Sequence, residues 1–508
     1  MKNKKKIFKI DVLESILNKV RKNKKIILCH GVFDVLHLGH LEHFRSAKSM
    51  GDLLIVTVTE DKYVKKGPKR PFFTIDERVR ALQAIEYIDF IAISNFETPI
   101  EVIKKIKPNI YCKGKDYKKT SQDFTKQILG EIKTLKKCGG KIEYTKDELY
   151  SSSKIINNSG TIFDEEQVKF LDNIKLNFNF DKVNNVINNL KNLKILIIGE
   201  IIIDQYTFCK VIGKSGKEPI VTFQKLKSEK YLGGAGAIAN HLASFSDKVT
   251  VFSSIGDSFN QLSFIKKKLN KNIKLNFIKK ENSSTILKEK YVQEMDNRKI
   301  FSTYTFNDEP LNKIQDDKVK KYIHKNIKNF DLVIVSDYSH GFLSKETSKY
   351  ISKLAKFLAV NCQINSANVN SHTLKNYKNY ELLIINETEL RHELRNKSDD
   401  IKKLIKFISN ELKINNVIVT QGSLGATFYC RKINKFNFSP AFSSKVIDKV
   451  GAGDAMLAVS AMCLKENLDT NLLLLVGSLA ASQVVETIGN SKTVNKTEIL
   501  KSVNYILK

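Results

Sequence analysis

Two histidines three positions apart, His37 and His40, lie in the segment Gly31–Phe44, GVFDVLHLGHLEHF, directly after the apolar run Ile26–Leu28. An apolar strand, a glycine turn and a helix opening with two imidazoles suit the handling of phosphate. Open α/β sheets bind ligands at strand ends, and a helix N-terminus adds free N–H groups and positive dipole. Read alone, the pair is equally two ordinary surface histidines. Gly31, Phe33, Asp34 and Gly39 around it favour a site, because the pattern is longer than the pair. A second segment with different logic lies downstream, VIDKVGAGDAMLAVSA, Val446–Ala461. Gly451, Ala452 and Gly453 lead into a helix of small and apolar residues, and their N–H groups can converge on an anion. Asp454 then stands where phosphate charge would develop, and a carboxylate there can take a proton from an attacking hydroxyl. The plain alternative is an Asp that caps a helix after a glycine turn.

The first segment resembles the HxGH box of the cytidylyltransferase-like nucleotidyltransferases. The resemblance implies that His37 and His40 contact the nucleotide phosphates. Lys65 and Lys66, with Lys69, lie in VKKGPKRP after the second strand and can reach the same phosphates. Arg78, in TIDERVRAL, matches the arginine of the family's E-x-R helix. YCKGKDY, Tyr111–Tyr117, resembles the VKGGDY strand end of sugar-phosphate adenylyltransferases, which implies substrate contacts for Lys113 and Asp116. YSSSKIIN, Tyr150–Asn157, matches an ISTT-like segment whose hydroxyls, here Ser151 and Ser152, bind triphosphate. Such transfer needs no covalent enzyme intermediate; catalysis is mainly positioning and charge stabilisation.

Three further segments support the downstream site. GEIIIDQY, Gly199–Tyr206, reads as a strand ending in Asp204. YLGGAGAIANHLA, Tyr231–Ala243, is a glycine-rich turn entering a helix. VTQGSLGATF, Val419–Phe428, is a strand, a glycine loop and a strand. In this order they resemble the ribokinase (PfkB-type) sugar kinases over roughly residues 195 to 495. The resemblance implies that Asp454 is the base and that the Gly451–Gly453 amides stabilise the transferring phosphoryl group. Asn386 and Glu389, in INETEL, have the N-x-x-E spacing that organises magnesium, commonly through water. Gly422 and Gly425 would line the ATP side, while Asp204, Gly233 and Gly234 would face the sugar. SDYSHG, Ser336–Gly341, resembles the SDYxKG segment of heptose kinases and adds Asp337.

Both halves together resemble the bifunctional heptose kinase/adenylyltransferases. Those enzymes phosphorylate a heptose 7-phosphate at the anomeric position and, after the 7-phosphate is removed elsewhere, couple the 1-phosphate to AMP for lipopolysaccharide cores. The resemblance implies magnesium, ATP for the kinase and ATP or CTP for the transferase; the oligomeric state is left open, with a homodimer through the kinase domain one of the options. Several positions depart from the pattern. The domain order is reversed. His340 stands where the heptose kinases have Lys, VNCQINSAN (Val360–Asn368) replaces VDPKG, and Ala237 replaces a sugar-contacting Asn. These changes are expected on the substrate side rather than in the phosphoryl machinery, so the reaction classes stand while the sugar stays open. Two other readings remain: a polyol- or amino-alcohol-phosphate cytidylyltransferase fused to an unrelated sugar kinase, and a regulatory scaffold with degenerate sites. The presence of His37, His40, Gly451, Gly453 and Asp454 argues against the scaffold.

These residues need elements to hold them. At 508 residues the chain exceeds a single core, and 42% hydrophobic content permits well-buried ones. Alternation implies an α/β fold with a doubly wound parallel sheet. The first unit reads as strands Ile26–Leu28, Leu53–Thr59, Phe90–Ser94 and a final Ile110–Lys113, with helices His40–Ser49, Ile75–Ala84 and Pro99–Lys105. The polar stretch 151–165 marks a boundary, and a helix is expected over Gln167–Leu190. The second unit reads as strands Lys194–Ile198, Val249–Ser253, Leu332–Ser336, Leu382–Ile385 and Val417–Thr420. The expected organisation is a Rossmann-like nucleotidyltransferase over 1–158, a linker or helical extension over 159–193, and a ribokinase-like kinase over 194–508.

The formal charge of +31 is spread along the whole chain. Nucleic-acid binders cluster their charge and interleave aromatics, so the excess reads as solvated surface that attracts sugar phosphates and nucleotides. The most apolar run, Leu472–Ala481, is too short to span a bilayer and reads as a buried helix. The N-terminal residues lack the apolar stretch of a signal peptide. Seven scattered cysteines with no CxxC pair argue against a zinc site or a disulfide framework, and a cytoplasmic location is expected.

Overall fold

The computed structural model describes residues 6–65, 67–114, 127–145, 163–258, 261–365, 368, 374–443 and 445–507. The chain folds as two compact units, Met1–Val168 with Lys501–Ile506, and Lys169–Leu500.

The first unit is built on six strands: β1 Ile7–Phe8, β2 Ile26–Gly31, β3 Leu53–Thr59, β4 Phe90–Ser94, β5 Ile110–Lys113 and β6 Lys141–Tyr144. They pair in the order β1-β4-β3-β2-β5-β6, and every pair is parallel. The central strands are apolar on both faces, as a sheet covered by helices on both sides requires; Leu54, Ile55, Val56 and Val58 are all buried. One cover is the helix Ile10–Val20, whose Leu13 and Leu17 face the core at helical spacing. Another is the helix Ile75–Gln83, started by a reciprocal cap between Thr74 and Glu77. From β2 the chain builds outward through β3 to β4 on one side, then crosses to β5 and β6 on the other. The topological switch therefore falls between β2 and β5, and the crevice outside their C-terminal ends is where such sheets take ligands.

The second unit carries the remaining strands: β7 Lys194–Gly199, β8 Ile201–Lys214, β9 Val221–Gly234, β10 Lys248–Ser258, β11 Ile273–Ser284, β12 Leu287–Gln293, β13 Lys299–Thr305, β14 Leu332–Asp337, β15 Leu358–Cys362, β16 Leu382–Asn386, β17 Asn416–Thr420, β18 Ala426–Cys430 and β19 Lys435–Ser439. A nine-stranded sheet runs β11-β10-β7-β14-β15-β16-β17-β18-β19, parallel up to β17 and antiparallel in its last two pairs. Its switch lies between β7 and β14. A separate four-stranded sheet, β13-β12-β8-β9, branches from the end of β7. The core joins Leu196, Ile198, Val333, Val335, Val360, Leu383 and Val417 to the helices that cover them.

Three elements differ from expectation. Ile110–Lys113 is not the last strand: β6 pairs beyond it, and its sequence KIEY is too polar and short to announce itself. The helix expected over Gln167–Leu190 is two helices, Glu165–Asn177 and Phe180–Asn189. Asn179 breaks the run, because its side chain accepts from Lys182 N at 2.9 Å and starts a new helix. The strand expected to end at Asp204 instead runs through it to Lys214.

Candidate active sites

In the first unit, β2 ends at Gly31 and hands the chain to a helix over Leu38–Lys48. His37 is its N-cap residue in extended conformation, and Gly39 lies in its first turn. The His37 and His40 rings stack at 4.0 Å between centroids, with His40 edge-on to Phe33 at 5.6 Å. Phe33 takes a left-handed φ of 50°, which brings its ring back over Gly31: a Cβ there would lie 3.0 Å from Phe33 Cζ. Partial burial lowers the His37 pKa below its ordinary value, which favours a neutral ring in the free protein. Gly31, Phe33, His37, Gly39 and His40 thus form one cluster at the switch point.

Other residues expected here do different work. Arg78 is buried, and its guanidinium donates to Phe73 O at 3.1 Å, Val32 O at 2.6 Å and Thr59 O at 2.9 Å, and pairs with Asp61. It braces the loops after β2 and β3 and does not present itself to a nucleotide, which corrects the phosphate role expected of it. Asp34 is likewise turned inward, accepting from Phe72 N at 2.7 Å and Phe73 N at 3.0 Å and pairing with Arg70. Lys113, at the C-terminal end of β5, forms a largely buried ion pair with Glu131 at 3.0 Å. Lys65 lies in the loop after β3, half-buried. Lys66, Asp116, Ser151 and Ser152 lie outside the described residues.

In the second unit, Gly451 takes a left-handed φ of 87° and caps the helix Ala452–Lys465. A Cβ on Gly451 would lie 2.0 Å from Asn490 Oδ1, while one on Gly453 would meet nothing within 4 Å. The helix start is thus open beside Gly453 and closed by Asn490 at Gly451. Asp454, in the first turn of the helix, is buried and accepts from Gln363 Nε2 at 3.2 Å. Burial, and then the charge of Asp204, push its pKa up to about 7; Lys288 opposes them and Glu389 adds to them.

Asp204 is anchored by Lys290, which reaches it from β12. Gly233 sits across from Ile202 on β9, and a Cβ on it would lie 2.4 Å from Asp204 Oδ2. Gly234, with a φ of 56°, then opens the helix Ala235–Leu242. Asp337 ends β14, but its carboxylate accepts from Ser339 N at 2.8 Å and Tyr377 OH at 2.8 Å. These bonds tie it to the loop after the strand and to Tyr377. Asn386 and Glu389 form a reciprocal cap on the helix Glu387–Glu393, at 2.8 and 3.0 Å. Asn386 pairs in register with Thr420, so the glycine loop holding Gly422 (φ 61°) and Gly425 (φ 126°) starts beside that cap.

Sequence reasoning passed over Glu200, Lys288, Lys290 and Gln363. Glu200 follows β7 at the switch point and accepts from Tyr338 N at 3.0 Å and His340 N at 3.1 Å. Burial, with Asp337 nearby, raises its pKa to about 7. Burial lowers the Lys288 pKa. The signal for the two lysines was their spacing, Lys288 and Lys290 being two apart on one face of a strand. Gln363 belongs to the divergent stretch Val360–Asn368. That stretch therefore touches Asp454, the expected base, as well as the side where the sugar was expected.

Asp204 and Glu389 act on Asp454 through their charge, and carboxylate oxygens of this kind suit magnesium reached through water.

Comparison with known proteins agrees with this architecture. Residues 192–497 match the pfkB family carbohydrate kinase model, and the chain belongs to that family. Residues 28–158 match the cytidylyltransferase-like model. The protein is an enzyme that joins a carbohydrate kinase domain to a nucleotidyltransferase-like one. Among solved structures, phosphofructokinase-2 from Escherichia coli in complex with substrates and products shares the fold, with a TM-score of 0.51 and 18% identity over 62% of this chain and 100% of that one. The chain is 38% identical over 135 residues to the bifunctional protein HldE of Campylobacter fetus, which is 25% of this chain and 30% of that protein. It is 36% identical over 151 residues to HldE of Helicobacter pylori, 29% of this chain and 30% of that protein. The match thus spans under a third of these relatives. Among the described residues no helix is long and apolar enough to cross a membrane.

Proposed function

We propose that the second unit phosphorylates a heptose or heptose phosphate at its anomeric hydroxyl, and that the first transfers a nucleotidyl group from a nucleoside triphosphate to a sugar 1-phosphate. The modules are taken as 1–158 and 194–508, with 159–193 connecting them. The observation that carries the kinase half is Asp454, buried at a helix start behind a left-handed glycine, its pKa raised to about 7. A base poised there accepts a proton near neutral pH. The hydroxyl gives its proton to Asp454, its oxygen bonds the γ-phosphorus of ATP, and the bond to the bridging oxygen breaks to release ADP. The amides of Gly451–Gly453 hold the transferring oxygens. Asn386 and Glu389 would hold magnesium, commonly through water, and the bound ion would neutralise phosphate charge.

In the first unit the stacked pair His37–His40 faces the α-phosphate of the triphosphate. The oxygen of the sugar 1-phosphate attacks that phosphorus and pyrophosphate leaves. The HldE relatives support a heptose as the sugar. The test is direct. The purified protein is incubated with heptose, heptose 7-phosphate or heptose 1-phosphate and each nucleoside triphosphate, and products are read by mass spectrometry. Phosphorylated and nucleotidylated heptose are expected; turnover of only non-heptose sugars or alcohol phosphates would overturn the assignment.

A further inference from the structure

Cys29 and Cys112 are partners in register on the neighbouring parallel strands β2 and β5. In-register residues of parallel strands project to the same face, and here both thiols belong to the core that Phe44 and Ala47 of the helix Leu38–Lys48 cover. His43 comes from that same helix. One ligand atom from each of Cys29, His43 and Cys112 lies within 4.8 Å of the others. His43 Nδ1 is held by Thr145 Oγ1 at 3.0 Å, the outer-shell bond that fixes the ring of a metal-ligating histidine. All seven cysteines are free thiols, yet these two, 83 positions apart in sequence, are brought together with an imidazole.

We propose that Cys29, Cys112 and His43 form a binding site for a thiophilic divalent ion of the zinc class, joining β2, β5 and the helix that carries His40. Two thiolates and one imidazole suit such an ion, and hard cations such as magnesium avoid sulfur. Each thiol passes its proton to solvent as its sulfur–metal bond forms, so two thiolates balance the charge of the ion. The three ligands anchor elements that converge on the switch point: Cys29 lies two residues before Gly31, Cys112 directly before Lys113, and His43 three residues after His40. The ion acts as a clasp beneath the candidate nucleotide site. This explains why no zinc spacing was visible in the sequence, since the ligands are gathered by the sheet rather than by a local motif.

The full chain is purified from zinc-supplemented cells without chelator, and metal is counted by mass spectrometry. About one zinc per chain is expected, with cobalt substitution giving the thiolate charge-transfer and tetrahedral absorption bands of sulfur-bound cobalt. His43→Gln changes a half-exposed residue and should fold; it should lower zinc affinity at least tenfold. Cys29→Ser with Cys112→Ser should remove the zinc, whereas Cys138→Ser with Cys430→Ser should leave it. Circular dichroism confirms folding of each variant. A metal-free protein with no cobalt–thiolate band, a Cys29–Cys112 disulfide in its place, or unchanged zinc in the His43→Gln and Cys29→Ser/Cys112→Ser variants would each overturn the site.

Discussion

At the scale of single residues, burial decides what a side chain can do. Asp454 sits among Asp204 and Glu389 out of water, so its carboxyl holds its proton up to about pH 7. Below that pH it is protonated and cannot accept the sugar proton; above it, it can. The kinase kcat/KM is therefore expected to rise as pH climbs through about 7, because this ratio reports the free enzyme. Asp454→Asn, which cannot take a proton, should lower kinase turnover by about a hundredfold or more and abolish that limb of the profile; a flat profile in the parent protein would refute the assignment. His340 raises a second question at this scale. It is buried, neither ring nitrogen has a hydrogen-bond partner among the described residues, and burial, then Lys288, hold its pKa down at about 4. It is neutral at pH 7, where the heptose kinases it resembles carry a lysine. A neutral ring holds a remote phosphate less firmly than an ammonium, so heptose and heptose 7-phosphate are expected to show similar kcat/KM. A strong preference for the 7-phosphate in steady-state kinetics would defeat this expectation.

At the scale of elements, glycines and braces fix where the site residues stand. Gly233 on β9 leaves room for the Asp204 carboxylate on β8, and a methyl there would lie 2.4 Å from Oδ2. Gly233→Ala should displace Asp204 from Lys290 and raise the KM for sugar about tenfold or more, with the KM for ATP little changed; an equal rise in both would mean the sheet rather than the site was disturbed. Arg78 plays the corresponding part in the first unit. Removing its guanidinium leaves three backbone carbonyls and Asp61 without their donor, so Arg78→Ala should cost roughly 3 kcal/mol of that unit's stability, measured by denaturant unfolding. What the sequence revealed follows the same division. Strands such as Leu53–Thr59 and Phe90–Ser94 were legible because continuous β-branched and apolar runs mark buried strands. Glycine-rich segments were legible because their chemistry is local. Arg78, Asp34 and Asp337 all find partners within the fold, which the sequence could not announce because a charged residue in a motif looks the same whether it faces a ligand or a backbone carbonyl. Glu200, Lys288 and Gln363 were missed because they lie at or beyond the ends of strands, or in a separate sheet, and meet only once the unit has folded.

At the scale of the molecule, the proposed function places two phosphate sites on the chain, His40 in one unit and Asp454 in the other. His40→Ala should lower nucleotidyl transfer by about a hundredfold while kinase turnover persists, and Asp454→Asn should do the reverse. On the proposed function, the sugar 1-phosphate that one unit releases is the substrate class of the other, so the two variants can be asked to share a product. Starting from a heptose without a distal phosphate, ATP and the second nucleotide, each variant alone should stop at its missing step. An equimolar mixture should restore the nucleotide-activated sugar, with a lag that shortens as protein concentration rises, because the intermediate must diffuse between molecules. The measurement is the time course of nucleotide-sugar by mass spectrometry. Restoration would establish that the 1-phosphate travels through solution. A mixture that makes no nucleotide-sugar, while each variant keeps its one activity on supplied substrate, would overturn the free-intermediate view and require transfer within a single chain.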